Sequence, residues 1–236
     1  MRIRPSFSQT VAALSGAALA LWVTTATAGL IFTLDGGNAA LSPAYTGPYA
    51  QVDVTRVDNT HATIAFTSLT SPCGVDTCIY LLGDGSSVGF NVNATSWTLG
   101  AITGSNSGTG FTPGPYSDGG GGNVSSFGVF NQRIDSFDGY GHSSTDILVN
   151  LTNTSGIWTS DSDVLIANSI GNLAEAHIFV TTLPANAGNN GGFALVTGFA
   201  AGTGGGGPPQ QIPEPGTLAL LGLALAGLGF VRRKRQ

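Results

Sequence analysis

The chain has little charge of either sign. Only 9% of its 236 residues are charged, and Lys234 is its one lysine. Most of the cations lie in the two tails: Arg2, Arg4, Arg232, Arg233, Lys234 and Arg235. Between residues 29 and 212, twelve acidic side chains stand against Arg56 and Arg133 alone. Such an acidic surface repels phosphate backbones, so we expect no nucleic acid partner.

Cysteine is equally scarce. Cys73 and Cys78 are the two cysteines of the chain, and four residues separate them. In an oxidising compartment, two cysteines at a turn usually form a disulfide. A redox centre would more naturally have two intervening residues, and a zinc site would need further ligands nearby. We therefore predict a structural disulfide, with no metal site and no cofactor.

The first 28 residues have the parts of an export signal. Arg2 and Arg4 precede a largely apolar stretch of thirteen residues, 11–23, which as a helix spans about 20 Å and falls short of a hydrocarbon core of about 30 Å. A signal anchor is the alternative, but this length favours a cleaved signal peptide. We expect signal peptidase to cut before position 29, where the residues are small: Ala26, Ala28 and Gly29.

The C-terminal tail has four parts in a fixed order. A Gly/Pro linker, 204–211, leads into a short Pro-Glu-Pro segment, an apolar run at 218–231 and a basic end at 232–235. The basic end should stay in the cytoplasm by the positive-inside rule. Fourteen residues span about 21 Å as a helix, which suits a thin and temporary membrane anchor.

These residues resemble the PEP-CTERM sorting signal of Gram-negative bacteria, over 212–235. The resemblance rests on the sorting motif Pro213, Glu214 and Pro215, the apolar segment, and the cytoplasmic stop Arg232, Arg233, Lys234 and Arg235. It implies that exosortase, a membrane-embedded cysteine protease-transpeptidase, removes the tail and passes the protein from the inner membrane to the cell surface or extracellular matrix. A permanent anchor behind a Pro-rich hinge is the alternative.

Residues 29–203 predict an all-β domain. Polar and apolar residues alternate in several short runs, and turns rich in Gly, Asp and Asn separate them. The predicted strands are 49–57, 63–67, 79–82, 88–92, 97–102, 126–130, 147–152, 164–167, 177–182 and 193–199. We predict an antiparallel two-sheet sandwich, jelly-roll-like, with a mobile loop or a ligand-binding loop at 104–125.

Carboxylates are the first candidates for chemistry in this domain. The pairs Asp135 with Asp138 and Asp161 with Asp163 could supply oxygen ligands to calcium, but neither pair completes a loop motif. We interpret them as solvated turn carboxylates. Glu175 is the one glutamate of the domain, and two opposed carboxylates for glycoside hydrolysis cannot be identified from the sequence.

Histidines and tryptophans are the remaining candidates. His61 and His177 fall in strand patterns and His142 in a loop, and the chain has no His-Glu-x-x-His zinc motif. Trp97 and Trp158 could stack on sugars, although aromatic residues in strands usually belong to the core.

The sequence therefore predicts a surface or matrix structural protein that is not an enzyme and that associates with exopolysaccharide. The alternatives are a carbohydrate-binding module and, less favoured, a glycan-processing enzyme.

Overall fold

The computed structural model describes residues 29–106, 109–136, 139–185 and 193–204, which belong to one compact unit. The predicted signal peptide (1–28), the linker residues 205–211, the apolar segment 218–231 and the rest of the sorting signal lie outside the described residues. Within the described ranges, no helix is long and apolar enough to cross a membrane.

The described residues fold into β-strands and two short 3₁₀ helices, Tyr140–His142 and Asp161–Asp163. The strands are β1 (Leu30–Leu34), β2 (Gly36–Gly37), β3 (Ala50–Arg56), β4 (His61–Ser68), β5 (Thr70–Cys73), β6 (Asp76–Leu82), β7 (Val88–Phe90), β8 (Trp97–Ser105), β9 (Tyr116–Asn123), β10 (Val129–Ser136), β11 (Asp146–Asn153), β12 (Ala174–Thr182) and β13 (Val196–Gly202).

The strands form two antiparallel sheets. The smaller sheet has the order β1-β3-β4-β11-β8, and the larger has the order β2-β13-β12-β7-β10-β9. Strand β6 pairs with β12 next to β7, and β5 pairs with β6. The all-β prediction with two antiparallel sheets is confirmed. Three pairs of successive strands form hairpins within one sheet: β3–β4, β5–β6 and β9–β10. These pairings do not establish a jelly-roll-like strand order, which stays a prediction.

One apolar core lies between the sheets. Alternate side chains of β3, β4 and β11 meet those of β7 and β12, and the Phe66 and Phe90 rings lie 6.3 Å apart. Fully burying a side chain of this kind contributes about 1.5–3 kcal/mol. The buried members include Val52, Val54, Ile64, Phe66, Val149, Val88, Phe90, Ile178 and Val180.

The glycine-rich stretch predicted as a loop contains β9, so that prediction is wrong for residues 116–123. Arg133 on β10 lies across β9, where its Nε donates to the Gly120 carbonyl (3.2 Å) and its Nη2 to the Gly119 carbonyl (2.7 Å). A Cβ at Gly122 would lie 2.7 Å from Arg133 Cζ. A side chain at Gly122 would displace the Arg133 guanidinium, which covers the bare backbone of this strand.

Other strand boundaries differ from the predicted ones. Residues 164–167 are not a strand, since Leu165 makes a single bridge to Val92. Strand β10 begins at Val129 and continues to Ser136, beyond the predicted range. Strands β1 and β5 were not predicted, because their sequences, LIFTL and TSPC, show no clear alternation of polar and apolar residues.

Candidate functional site

Gly29 is the one predicted processing residue within the described part of the chain. It directly precedes β1 and is half-buried next to β3, where a Cβ would lie 2.9 Å from Asp53 Oδ1. A cut before Gly29 would therefore fall one residue before the first strand. The other predicted processing residues lie outside the described residues: Ala26, Ala28, Pro213, Glu214, Pro215, Arg232, Arg233, Lys234 and Arg235.

The predicted disulfide is confirmed. Cys73 and Cys78 are joined through an S–S bond of 2.01 Å, and their Cα atoms are 5.7 Å apart. The bond closes the β5–β6 hairpin, whose turn contains Gly74 at φ +71° and the fully exposed Val75. Cys78 is fully buried and packs in the main core. The bond thus joins the edge strand β5 to β6, which itself pairs with β12.

Of the two candidate tryptophans, Trp158 belongs to the core and Trp97 packs against it. Trp158 is 1% exposed, and its Nε1 donates to the Asn93 carbonyl at 2.9 Å. Trp97 is half-buried, and its Nε1 donates to Gln132 Oε1 at 2.8 Å. Because the Trp158 ring has no accessible face, it cannot stack on a sugar.

Asp161 is a buried structural group, so its interpretation as a solvated turn carboxylate is wrong. It is 4% exposed and accepts the backbone N–H of Arg56. Asp163 is half-buried and accepts the N–H groups of Thr159 (3.0 Å) and Ser160 (2.9 Å). Hydrogen bonds, first of all from the Thr159 hydroxyl, lower the pKa of Asp163. Both carboxylates order the chain around the 3₁₀ helix.

Among the described residues, no group of three His, Cys, Asp or Glu side chains could hold a metal ion. These residues therefore give no support to a calcium or zinc site. Asp135 accepts the N–H of Ser86 at 2.7 Å, which fixes the turn before β7. Asp138 lies outside the described residues.

The outer face of the larger sheet carries the most unusual polar groups. We use this name for the side chains of β12 that point away from the main core: Glu175, His177, Phe179 and Thr181. All four are buried. A second apolar cluster covers part of this face, in which Phe179 packs with Phe111, Tyr140, Leu81 and Ala185.

Glu175 lies in a cross-strand row with Gly89 and Arg133. Gly89 on β7 is paired with Glu175 on one side and with Arg133 on the other. A Cβ at Gly89 would collide with Glu175 Oε1, so the carboxyl group lies over the bare glycine backbone. The cationic head of Arg133 turns away from the row, toward the carbonyl groups of β9.

The Glu175 carboxyl is enclosed and unsatisfied. Its side chain has no exposed area, and neither oxygen has a hydrogen-bond partner among the described residues. Burial raises the pKa of Glu175 well above its ordinary value of 4.5, and the nearby charge of Arg133 offsets part of that rise. The folded protein therefore favours the protonated, neutral carboxyl group.

His177 occupies the next position on this face. Its ring stacks on Phe199 (4.3 Å) and on Phe179 (5.4 Å), and its Nε2 lies 2.7 Å from Thr197 Oγ1. Burial lowers the pKa of His177. A carboxyl and an imidazole thus share one face of β12, but the carboxyl has no route to solvent in this structure.

His61 and His142 lie at turns. The Nδ1 of His61 contacts the Asp58 carboxylate at 2.8 Å, with both side chains about half exposed. The Nδ1 of His142 lies 2.8 Å from the carbonyl oxygens of Thr112 and Gly114. These contacts hold the two turns in place.

Comparison with known families bears on the C-terminal tail. Residues 211–235 match the family described as the PEP-CTERM protein-sorting motif. The chain ends in a PEP-CTERM sorting motif. The matched range includes Pro213, Glu214 and Pro215, and the PEP-CTERM motif implies a protein that is exported and sorted by exosortase to the cell surface. No curated protein and no solved structure matches the chain.

Proposed function

We propose that this PEP-CTERM protein is a structural component of the cell surface or extracellular matrix of a Gram-negative bacterium and has no catalytic activity. The sorting motif at residues 211–235 carries the proposal, because it gives the protein a route to the outside. The disulfide between Cys73 and Cys78 suits an oxidising compartment. We propose further that the jelly-roll-like sandwich contributes to an exopolysaccharide-rich biofilm matrix.

Maturation would take place in two steps. Signal peptidase would remove residues 1–28 after export. Residues 218–231 would then hold the precursor in the inner membrane as a helix, with the basic residues 232–235 left in the cytoplasm. Exosortase would cut near the Pro-Glu-Pro segment, leaving the sandwich (29–203) and its Gly/Pro linker (204–211) at the surface.

The motif offers exosortase a rigid recognition element. Each proline fixes its own φ near −65°, and Pro215 restricts Glu214 to extended conformations. One carboxylate is thus displayed on a stiff, strand-like segment. These residues would act as the substrate of the sorting enzyme.

Glu214→Ala tests this proposal in the native host. We expect the wild-type protein to lose both ends and to reach the outer surface or culture medium. The variant should keep its tail and stay in the inner membrane. Intact mass spectrometry of each cell fraction measures both properties, and Gln210→Ala, outside the matched range, serves as the matched control.

Two results would contradict this proposal. If the wild-type protein keeps residues 218–235 in the inner membrane, the tail is a permanent anchor and the surface role is wrong. If Gln210→Ala blocks sorting as fully as Glu214→Ala does, recognition does not depend on the motif carboxylate.

A carbohydrate-binding module that exposes Trp97 or Trp158 was the alternative. The Trp158 ring is buried and gives it no support, whereas Trp97 is half-buried. A glycan-processing enzyme built on Asp161 is not supported either, since the Asp161 carboxylate is occupied by a backbone N–H group.

A further inference from the structure

An open groove lies where the chain leaves β7 and where it leaves β11. Its volume is about 460 Å³, within the usual range for small-molecule sites. Two segments, 92–95 and 153–157, form its walls, and Ile166 closes one side. All of these residues belong to the described part of the chain.

The walls of the groove are held in place from below. Ser155 Oγ accepts the N–H groups of Thr95 (3.1 Å) and Ser96 (3.0 Å), which joins the two segments. The buried Trp158 donates to the Asn93 carbonyl, and the Asn93 N–H donates to Val164 at 2.9 Å. A ligand would therefore meet a site that is already organised, which lowers the entropic cost of binding.

The groove presents unused hydrogen-bonding groups. Asn153 is 6% exposed, and its Oδ1 accepts the Ser155 N–H at 3.1 Å. Its Nδ2 donates to no other described residue and lies 4.0 Å from where a Cβ would stand on Gly156, a residue that also lines the groove. The Thr95 hydroxyl and Asn93 Oδ1 are likewise without partners among the described residues. The Asn153 Nδ2 donor, the Thr95 hydroxyl and Asn93 Oδ1 are therefore available to a ligand in the groove.

The rest of the lining is apolar and uncharged. Ile157 is 63% exposed and Ile166 is 51% exposed, and both border the groove. No charged side chain is among the lining residues. An ionic ligand would leave its charge unpaired here, and the acidic domain would repel an anionic one.

We propose that this groove binds a neutral sugar unit of a polysaccharide. The ring hydroxyls of a sugar can accept from Asn153 Nδ2 and exchange hydrogen bonds with Thr95 and Asn93. The C–H face of the same ring packs on Ile157 and Ile166. This binding activity goes beyond the proposed structural role, and it rests on the groove and not on the sorting tail.

Two variants test the groove without disturbing the fold. Asn153→Asp keeps an oxygen that can accept the Ser155 N–H but removes the Nδ2 donor. Ile157→Asp places a charge on an exposed wall position. The matched control is Ile170→Asp, at an isoleucine that is 56% exposed and does not line the groove.

Binding is measured with the secreted protein against immobilised neutral oligosaccharides, namely cello-, malto- and manno-oligosaccharides. Alginate oligosaccharides serve as the acidic comparison, and a pooled library of uncharged peptides tests the peptide alternative. We expect millimolar or tighter affinity for at least one neutral series, with a loss of about tenfold or more in both groove variants and none in Ile170→Asp.

Three outcomes would overturn the inference. One is the absence of binding to every neutral series at millimolar concentration. Another is neutral-sugar binding that survives in both groove variants, which would place the site elsewhere. The third is a preference for alginate or for peptides. Because none of these readouts depends on tail removal, failure here is distinguishable from failure of the sorting proposal.

Discussion

The two faces of the larger sheet differ in how they are buried. On the inner face of β12, Ala174, Ala176, Ile178 and Val180 pack against the smaller sheet, as expected for a sandwich. On the outer face, the intervening residues are also buried, yet they include a glutamic acid and a histidine. The inner face is apolar throughout, whereas the outer face includes buried polar side chains, Glu175 and His177.

This difference shows that alternation of side chains in a strand does not decide exposure. A regular alternation predicts one dry face and one wet face. In β12 the outer face lies under the cluster formed by Phe111, Tyr140 and Ala185 with Phe179. We infer that the inner face provides most of the stability and that the enclosed polar groups of the outer face oppose it.

Phe66→Ala should have the largest effect, because it tests the inner face. Phe66 has no exposed area and lies against Phe90. We expect a loss of about 3–5 kcal/mol in the free energy of unfolding. Denaturant titration of the secreted protein measures it, with Phe193→Ala as the control at a 73% exposed phenylalanine. A loss below about 1 kcal/mol would mean that the two sheets do not pack as described.

Glu175→Gln should stabilise the protein, by roughly 1–3 kcal/mol at neutral pH. Unfolded Glu175 loses its proton near pH 4.5, whereas the folded state keeps it to a higher pH. The folded state then binds more protons, so the free energy of unfolding falls as pH rises above 4.5. Glutamine removes this cost, and its advantage should grow with pH.

Denaturant titrations at a series of pH values measure this effect, and Asp76→Asn provides a control at an exposed carboxylate. If Glu175→Gln destabilises the protein equally at all pH values, the carboxyl has a partner that its neutral amide cannot replace. The outer face would then be no weaker than the inner one.

His177→Gln should have the smallest effect, confined to acid. Burial lowers the pKa of His177 in the folded state below its ordinary value of 6.5. The unfolded chain therefore binds more protons below pH 6.5, and stability is lost as the pH falls. The variant should lose about 1 kcal/mol less than the wild-type protein over this range.

His177→Gln also removes the stacking of the imidazole ring on Phe179 and Phe199, which changes stability at every pH. The measurement therefore compares the slopes of the free energy of unfolding against pH. An equal slope in wild type and His177→Gln would show that His177 is protonated without cost in the folded state.

Several parts of the fold were predictable because their patterns are local. Strands β3, β4, β8 and β11 alternate clearly, and their positions were predicted to within a few residues. The Cys73–Cys78 bond was predictable because five positions of separation suit a hairpin. Strand β9 was missed because its Gly119–Gly122 run has no side chains to alternate, and its pairing depends on Arg133 from another strand.

The enclosed polar groups and the groove could not be predicted in this way. Glu175 stands at an outward position of β12, where the sequence indicates solvent. Its surroundings include Gly89 and Arg133, which come from strands β7 and β10 in distant parts of the chain. Asn153 and Asn93 are sixty positions apart in the sequence, and nothing local indicates that they line one groove.

By itself, the sequence determined the C-terminal PEP-CTERM motif, the all-β class and the disulfide, because each depends on residues close together in the chain. The tertiary structure alone decided that Trp158 and Asp161 are buried, that Glu175 is enclosed over Gly89, and that a neutral groove faces solvent. These properties depend on contacts between distant segments, since burial and pKa are set by whatever the rest of the fold places around a side chain.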